Sequence, residues 1–229
     1  MCWQQNPVTG SRGSRQRWIS MFLSLDGIDG VGKSTQVELL SVWLTEQGYS
    51  VCCCRDPGTT QLGETLRTIF LKDKELEVSP GSEMLIYMTA RAQLVEEIIR
   101  PALQSGKLVL SDRFLLANVV YQGHAGQLDP ADIWQVGRIA TAGLLPDLTI
   151  VLDLEAEQGL SRLDGEKDRI ESRGSEFMEK VRQGFLAEAE QDPDAIKIIS
   201  GFGSIDDVQQ QIRSCVAEFL RQDHEQSGD

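Results

Sequence analysis

Gly27-Ile28-Asp29-Gly30-Val31-Gly32-Lys33-Ser34-Thr35 fits the pattern G-x-x-x-x-G-K-[ST]. It stands between a short apolar run and a segment with helical spacing. Glycines let the backbone curl until several N–H groups point at one anion, and the helix that follows adds the positive end of its dipole. Residues of these types in this order cradle a nucleotide triphosphate. Lys33 is expected to reach the terminal phosphates, and Ser34 to offer its hydroxyl to Mg²⁺. The guanine-reading pattern N-K-x-D is missing, since the asparagines are Asn6 and Asn118 and neither has that setting. ATP is therefore the expected nucleotide.

A second anion needs cations of its own. Arg55 and Arg113 each follow an apolar run at its carboxyl end, and Asp112 beside Arg113 is placed to hold Mg²⁺ through water. Two anions repel as they approach, so positioning and charge neutralisation make up most of the catalysis in phosphoryl transfer.

The elements that must position these residues are legible as alternating runs. Strands are expected at Phe22–Asp26, Ser50–Arg55, Lys107–Ser111, Leu148–Leu154 and Ile196–Ser200. Helical spacing covers Lys33–Gln47, Leu62–Leu71, Gly81–Gln104 with an interruption at Pro101, Leu115–Gln122 and Ala131–Leu145. The closing helix, Ile205–Leu220, presents Ile205, Val208, Ile212, Val216 and Phe219 on one face. Alternation of this kind implies an α/β fold, a five-stranded parallel sheet with helices on both faces and the ligand beyond the carboxyl ends of the strands.

Composition narrows the partners. A net charge of −13 argues against a protein that coats nucleic acid. No apolar run reaches the ~18 residues of a membrane span. Cys52, Cys53 and Cys54 are consecutive, so on a strand they point to alternate faces and cannot converge on a metal. They read as fillers of a buried strand in a reducing cytoplasm, with a redox role for Cys54 beside Arg55 as the lesser alternative. Residues 1–20 carry Arg12, Arg15 and Arg17 and no acid, and are set outside the fold as a disordered or misassigned extension. Residues 21–221 form a single domain, and 222–229 are expected to fray.

Further stretches resemble thymidylate kinase from Met21 almost to the last helix. Arg55-Asp56-Pro57-Gly58-Thr59-Thr60 is similar to that family's R-E-P-G-G-T, and Tyr87-Met88-Thr89-Ala90-Arg91-Ala92-Gln93 to its F-Y-A-A-R-x-Q. Asp112-Arg113-Phe114 with Tyr121-Gln122-Gly123 resembles its D-R-[YFH] and Y-Q-G. Ala140 to Thr149 resembles A-T-G-G-L-x-P-D-L-T, and Asp168-Arg169-Ile170-Glu171 the D-R-x-E that closes its lid.

The resemblance implies transfer of the γ-phosphate of ATP to dTMP, usually by a homodimer, and the Ala131–Leu145 stretch is apolar enough to permit one. It implies that Arg55 and Arg113 grip the dTMP phosphate, Tyr87 stacks on thymine and Arg91 bonds its carbonyl edge. Gln122 would read the base, Tyr121 would crowd the sugar 2′ position and Asp29 would meet the 3′-OH. No arginine stands in the phosphate loop, so a lid at about 162–174 would supply the catalytic cation, from Arg162, Lys167, Arg169 or Arg173, with Arg162 and Arg169 preferred. The sequence departs from the family at Asp56 (usually Glu), Thr59 (usually Gly), Tyr87 (usually Phe), Ala117-Asn118 (commonly a Ser-Ser or Ser-Thr pair) and in a shorter lid. A kinase for dUMP, dCMP or a deoxynucleoside is the neighbouring reading, and a non-catalytic ATP switch the reading of a different class.

Overall fold

The computed structural model describes residues 19–72, 77–163 and 169–226. Five parallel strands, β1 (Met21–Gly27), β2 (Val51–Arg55), β3 (Leu108–Asp112), β4 (Leu148–Asp153) and β5 (Ile196–Ser200), lie in the order β2-β3-β1-β4-β5. Every residue of β1 and β3 is buried, whereas β2 and β5, at the edges, are only partly covered.

Alternation along β1 divides the core between the two faces of the sheet. Leu23 and Leu25 join Val37, Leu40, Ile150, Phe185 and Ile212 on one side. Phe22 joins Cys54, Val109, Ile99, Phe114 and Ile133 on the other.

The helices are α1 (Lys33–Glu46), α2 (Gln61–Lys72), α3 (Pro80–Leu94), α4 (Arg100–Gln104), α5 (Leu115–Asn118), α6 (Pro130–Ala140), α7 (Ala156–Ser161), α8 (Ser175–Gln191) and α9 (Ile205–Gln226). The path from α3 to α4 is not broken at Pro101. A wider π-type turn over Val95–Ile99 comes just before it and accommodates a residue that has no N–H to donate. A similar turn, Val119–His124, continues α5 and carries Tyr121 and Gln122.

Several boundaries depart from the sequence reading. Ile19 is buried in the core and its N–H bonds Gly106 O at 3.4 Å, so the fold begins inside the segment set apart as an extension. Helix α6 ends at Ala140, because Ala142 and Gly143 take positive φ and turn the chain away. The apolar face of α9 is Val208, Ile212, Val216 and Leu220, an unbroken i, i+4 row. Ile205 starts the helix and is exposed, and the helix runs on past 222. Helix α8 had no counterpart in the sequence reading.

Of the three consecutive cysteines only Cys54 is buried, since β2 is an edge strand. Burial pushes its thiol well above the ordinary range, which removes the thiolate a redox role would require.

Candidate active site

The loop after β1 curls as its glycines allow. Gly27, Gly30 and Gly32 take φ of 135°, 77° and 99°. A β-carbon on Gly30 would lie 1.9 Å from Gly159 O, so α7 packs directly against the loop. Ile28 and Val31 bury their side chains in the core and leave only backbone to the cradle. Lys33, the first residue of α1, is buried and donates to Ile28 O at 2.6 Å. Burial, with the Arg113 guanidinium nearby, pulls its ammonium down to about 8.

One cavity is lined by Gly30, Gly32, Lys33, Ser34 and Thr35, together with Arg55, Arg67, Asp112, Arg113 and Arg162. Ser34 Oγ donates to Asp112 Oδ2 at 2.6 Å, so two hard oxygen donors meet at the rim of the cradle. A second cavity is lined by Tyr87, Arg91, Ala117, Asn118, Tyr121, Gln122 and Ile170. Asp29, Asp56, Arg67 and Arg113 line both. The two cavities therefore meet at Arg67 and Arg113, with Asp29 and Asp56 beside them.

Arg113 sits just beyond β3 with φ 67°, a left-handed conformation that costs a non-glycine residue about 1 kcal/mol or more. Its backbone N–H is held by Leu25 O at 2.9 Å, and its Nη1 donates to Gly27 O at 2.9 Å. Its Nη2 bonds Asp29 Oδ1 and lies 3.2 Å from the Tyr121 hydroxyl. Burial would raise the Asp29 carboxyl, but Arg113, Lys33 and the Tyr121 hydroxyl outweigh it and hold the carboxyl below its usual range.

Arg55 Nη2 donates to Glu64 Oε1 at 2.8 Å, and the same oxygen accepts from Thr59 N at 2.8 Å. Thr59 takes φ 67°, the left-handed conformation suited to the glycine it replaces, while its hydroxyl accepts from Arg55 N at 2.8 Å.

Sequence reasoning missed Arg67. It lies mid-helix in α2, away from any strand end, and reaches the cavities by donating to Pro57 O at 3.2 Å. Burial lowers its basicity, and so do the neighbouring Arg55 and Arg113.

Arg91 is 2% exposed, and four of its five N–H groups have partners. Nε meets Asp56 Oδ2 at 2.5 Å, and Nη1 meets Met88 Sδ at 3.1 Å and Asn118 Oδ1 at 3.0 Å. Nη2 meets Phe114 O at 3.4 Å. Asn118 Nδ2 donates to Gln122 Oε1 at 2.6 Å, and Gln122 Nε2 donates to Glu83 Oε1 at 2.8 Å. Gln122 thus faces the cavity with each end of its amide already engaged.

The two preferred lid arginines go to different places. Arg162 lines the phosphate cavity, with Nη1 3.5 Å from Gly201 O. Arg169 lies 4.0 Å from Glu83, which Arg173 also bonds at 2.6 Å. Lys167 and Asp168 fall outside the described residues. Arg182 of α8, unassigned from sequence, binds Asp153 at the end of β4 through Nε at 2.7 Å and Nη2 at 3.1 Å. That fork fixes the helix after the lid against the sheet.

A thymidylate kinase family model matches residues 25–212. The chain is similar to a thymidylate kinase of Rhodopirellula baltica, 45% identical over 206 residues that cover 90% of this chain and 84% of that protein. A thymidylate kinase of Caldanaerobacter subterraneus subsp. tengcongensis is 42% identical over 201 residues, 87% of this chain and 96% of that protein. The crystal structure of thymidylate kinase from Ehrlichia chaffeensis superposes with a TM-score of 0.73 at 28% identity, covering 87% of this chain and 99% of that one. With the family model spanning most of the described fold, this chain belongs to the thymidylate kinase family.

Proposed function

We propose that the triphosphate of ATP lies along Gly27–Thr35 and that dTMP occupies the adjoining cavity, for the transfer from ATP to dTMP, giving dTDP and ADP, that this chain catalyses as a thymidylate kinase. One observation carries the arrangement. Arg55, Arg67 and Arg113 line the phosphate cavity, and Arg67 and Arg113 also border the base cavity; burial, and then the neighbouring Arg55 and Arg113, make Arg67 less basic than usual. Guanidinium groups only donate, and a phosphate dianion has the geometry to accept from several of them at once.

Each role follows from position. Lys33 and the loop N–H groups hold the donor phosphates. Arg55, Arg67 and Arg113 hold the acceptor phosphate in line and neutralise charge that would otherwise keep the two nucleotides apart. Arg162, on the phosphate side, is placed to meet charge on the transferring group. Arg169 leans toward Glu83 and would have to swing away to act there. Tyr87, Arg91 and Gln122 border the base end, while Tyr121 and Asp29 border the sugar.

The Ser34 and Asp112 oxygens fit Mg²⁺, which favours hard oxygen donors and keeps several waters and phosphate ligands. Bound with ATP, the ion neutralises phosphate charge. Among the described residues no group of three His, Cys, Asp or Glu side chains is placed to hold a metal.

We further propose a homodimer through α2, α3 and α6. These helices pack side by side and expose Ile69, Leu85 and Ile139, the last 80% exposed. The reading places the enzyme in the cytoplasm, with no nucleic-acid partner. Among the described residues no helix is long and apolar enough to cross a membrane.

ADP release measured with dTMP, dUMP, dCMP and thymidine as acceptors tests the assignment. Turnover should be fastest with dTMP. Indifference to the 5-methyl group would move the assignment to a broader pyrimidine kinase, and ATP binding without turnover of any acceptor would make the protein a switch.

A further inference from the structure

The hydrogen bonds from Arg91 to Glu83 all run one way. Arg91 can only donate, so Asn118 must turn its carbonyl toward it. Its amide N–H is then left for Gln122 Oε1. Gln122 in turn has only N–H groups to offer Glu83 Oε1. Glu83 is buried, and Arg173, a donor only, sits on its other carboxylate oxygen at 2.6 Å. With a donor at one end and an acceptor at the other, neither amide between them can flip without setting donor against donor or acceptor against acceptor.

We infer that Glu83 is a specificity-determining positioning residue: as the acceptor that closes the chain begun by the Arg91 donor, it holds the Asn118 and Gln122 amides in one sense, so that the base cavity offers a guanidinium donor beside an amide carbonyl acceptor. This rests on the reading of that cavity as the dTMP base site. The 3,4-edge of thymine carries an acceptor at O4 and a donor at N3–H. Cytosine reverses both, with a donor at N4 and an acceptor at N3. An edge matched to thymine leaves cytosine with two unmade bonds against buried polar groups, which is how a site rejects a close analogue strongly. Uracil has the same 3,4-edge as thymine, so the chain does not separate those two.

The test is the ratio of kcat/KM for dTMP to that for dCMP, with the dTMP to dUMP ratio beside it. In Glu83→Gln the single carbonyl cannot accept from both Gln122 and Arg173, so the Glu83 end no longer agrees with the Arg91 end and the Gln122 amide loses its fixed sense. The dTMP:dCMP ratio should fall by about tenfold or more, while dTMP:dUMP stays within about twofold. A general loss of packing would lower all three acceptors together. Asn118→Leu, which cuts the chain and leaves the carboxylate in place, should lose the same discrimination, and the double variant should lose no more than either alone. A dTMP:dCMP ratio unchanged in Glu83→Gln, with the variant melting cooperatively and binding ATP, would overturn the role of Glu83 whatever Asn118→Leu does, while leaving the dTMP assignment standing. A parent enzyme that turns over dCMP as well as dTMP would overturn both.

Discussion

Arg113 and Asp29 are joined across the mouth of the two cavities, Nη2 to Oδ1, and the other Asp29 oxygen accepts from the Tyr121 hydroxyl at 3.0 Å. Asp29 belongs to the loop proposed to cradle the donor phosphates, and Arg113 to the strand end proposed to face the acceptor. Since Arg113 also bonds Gly27 O, the acceptor-side cation is fastened at two points to the donor-side loop. In-line transfer needs the two phosphates held at a fixed separation, and on the proposed assignment this clamp would set it before either nucleotide arrives.

Lys33 couples ATP binding to pH. Burial lowers its folded value to about 8, below that of the unfolded chain, so the charged form is disfavoured in the folded protein. That cost is present below pH 8 and is relieved as pH rises beyond it. A bound triphosphate restores the charge. At pH 8, binding of ATP should therefore take up about half a proton, measured by calorimetry in buffers of different ionisation enthalpy. Lys33→Met should abolish the uptake. Zero uptake by the parent protein would contradict the picture.

Asp26 is fully buried at the end of β1, and burial lifts its carboxyl to about 7 despite Arg113 and Lys33. A carboxyl raised on folding penalises the folded state increasingly as pH climbs from the unfolded value, near 4, toward 7. Asp26→Asn should thus gain stability over the parent between pH 5 and pH 8, by up to about 3 kcal/mol in urea titrations. A parent that gains stability relative to the variant over that range would refute the assignment.

Thr59 holds a left-handed backbone that a β-branched residue tolerates poorly, yet its hydroxyl anchors Arg55 N. Asparagine tolerates that region and keeps an acceptor. Thr59→Asn should stabilise the protein by roughly 0.5–1 kcal/mol with the KM for dTMP unchanged. Thr59→Gly should come out near neutral, since relief of strain offsets the lost hydrogen bond. Loss of stability in the asparagine variant would show that the turn is not strained.

How far the sequence carries depends on whether a signal is local. The strand that ends at Gly27 and the loop beyond it are contiguous, so the phosphate cradle could be read directly. Arg55 and Arg113 follow strands, and parallel topology alone brings them to one edge. Arg67 has no such marker, because only the fold of α2 over Pro57 turns it inward. Glu83, Asn118 and Gln122 make a site only through hydrogen bonds that span 39 residues of sequence. Helix α8 was legible in principle, since Met178, Val181, Phe185 and Ala189 keep helical spacing and are buried. Charged residues between them mask the pattern, and the sequence reading assigns the segment no element. Spacing could not separate Arg162 from Arg169 either: both follow α7, yet Arg162 lines the phosphate cavity and Arg169 lies beside Glu83.

The most direct measurement is ATP binding and single-turnover transfer to dTMP by Arg113→Ala, side by side with the parent protein. Arg113 fastens the acceptor site and contributes no loop N–H to the donor phosphates. The account predicts transfer slower by about a thousandfold or more, with the Kd for ATP within about threefold of the parent. Transfer to dTMP at the parent rate would contradict it.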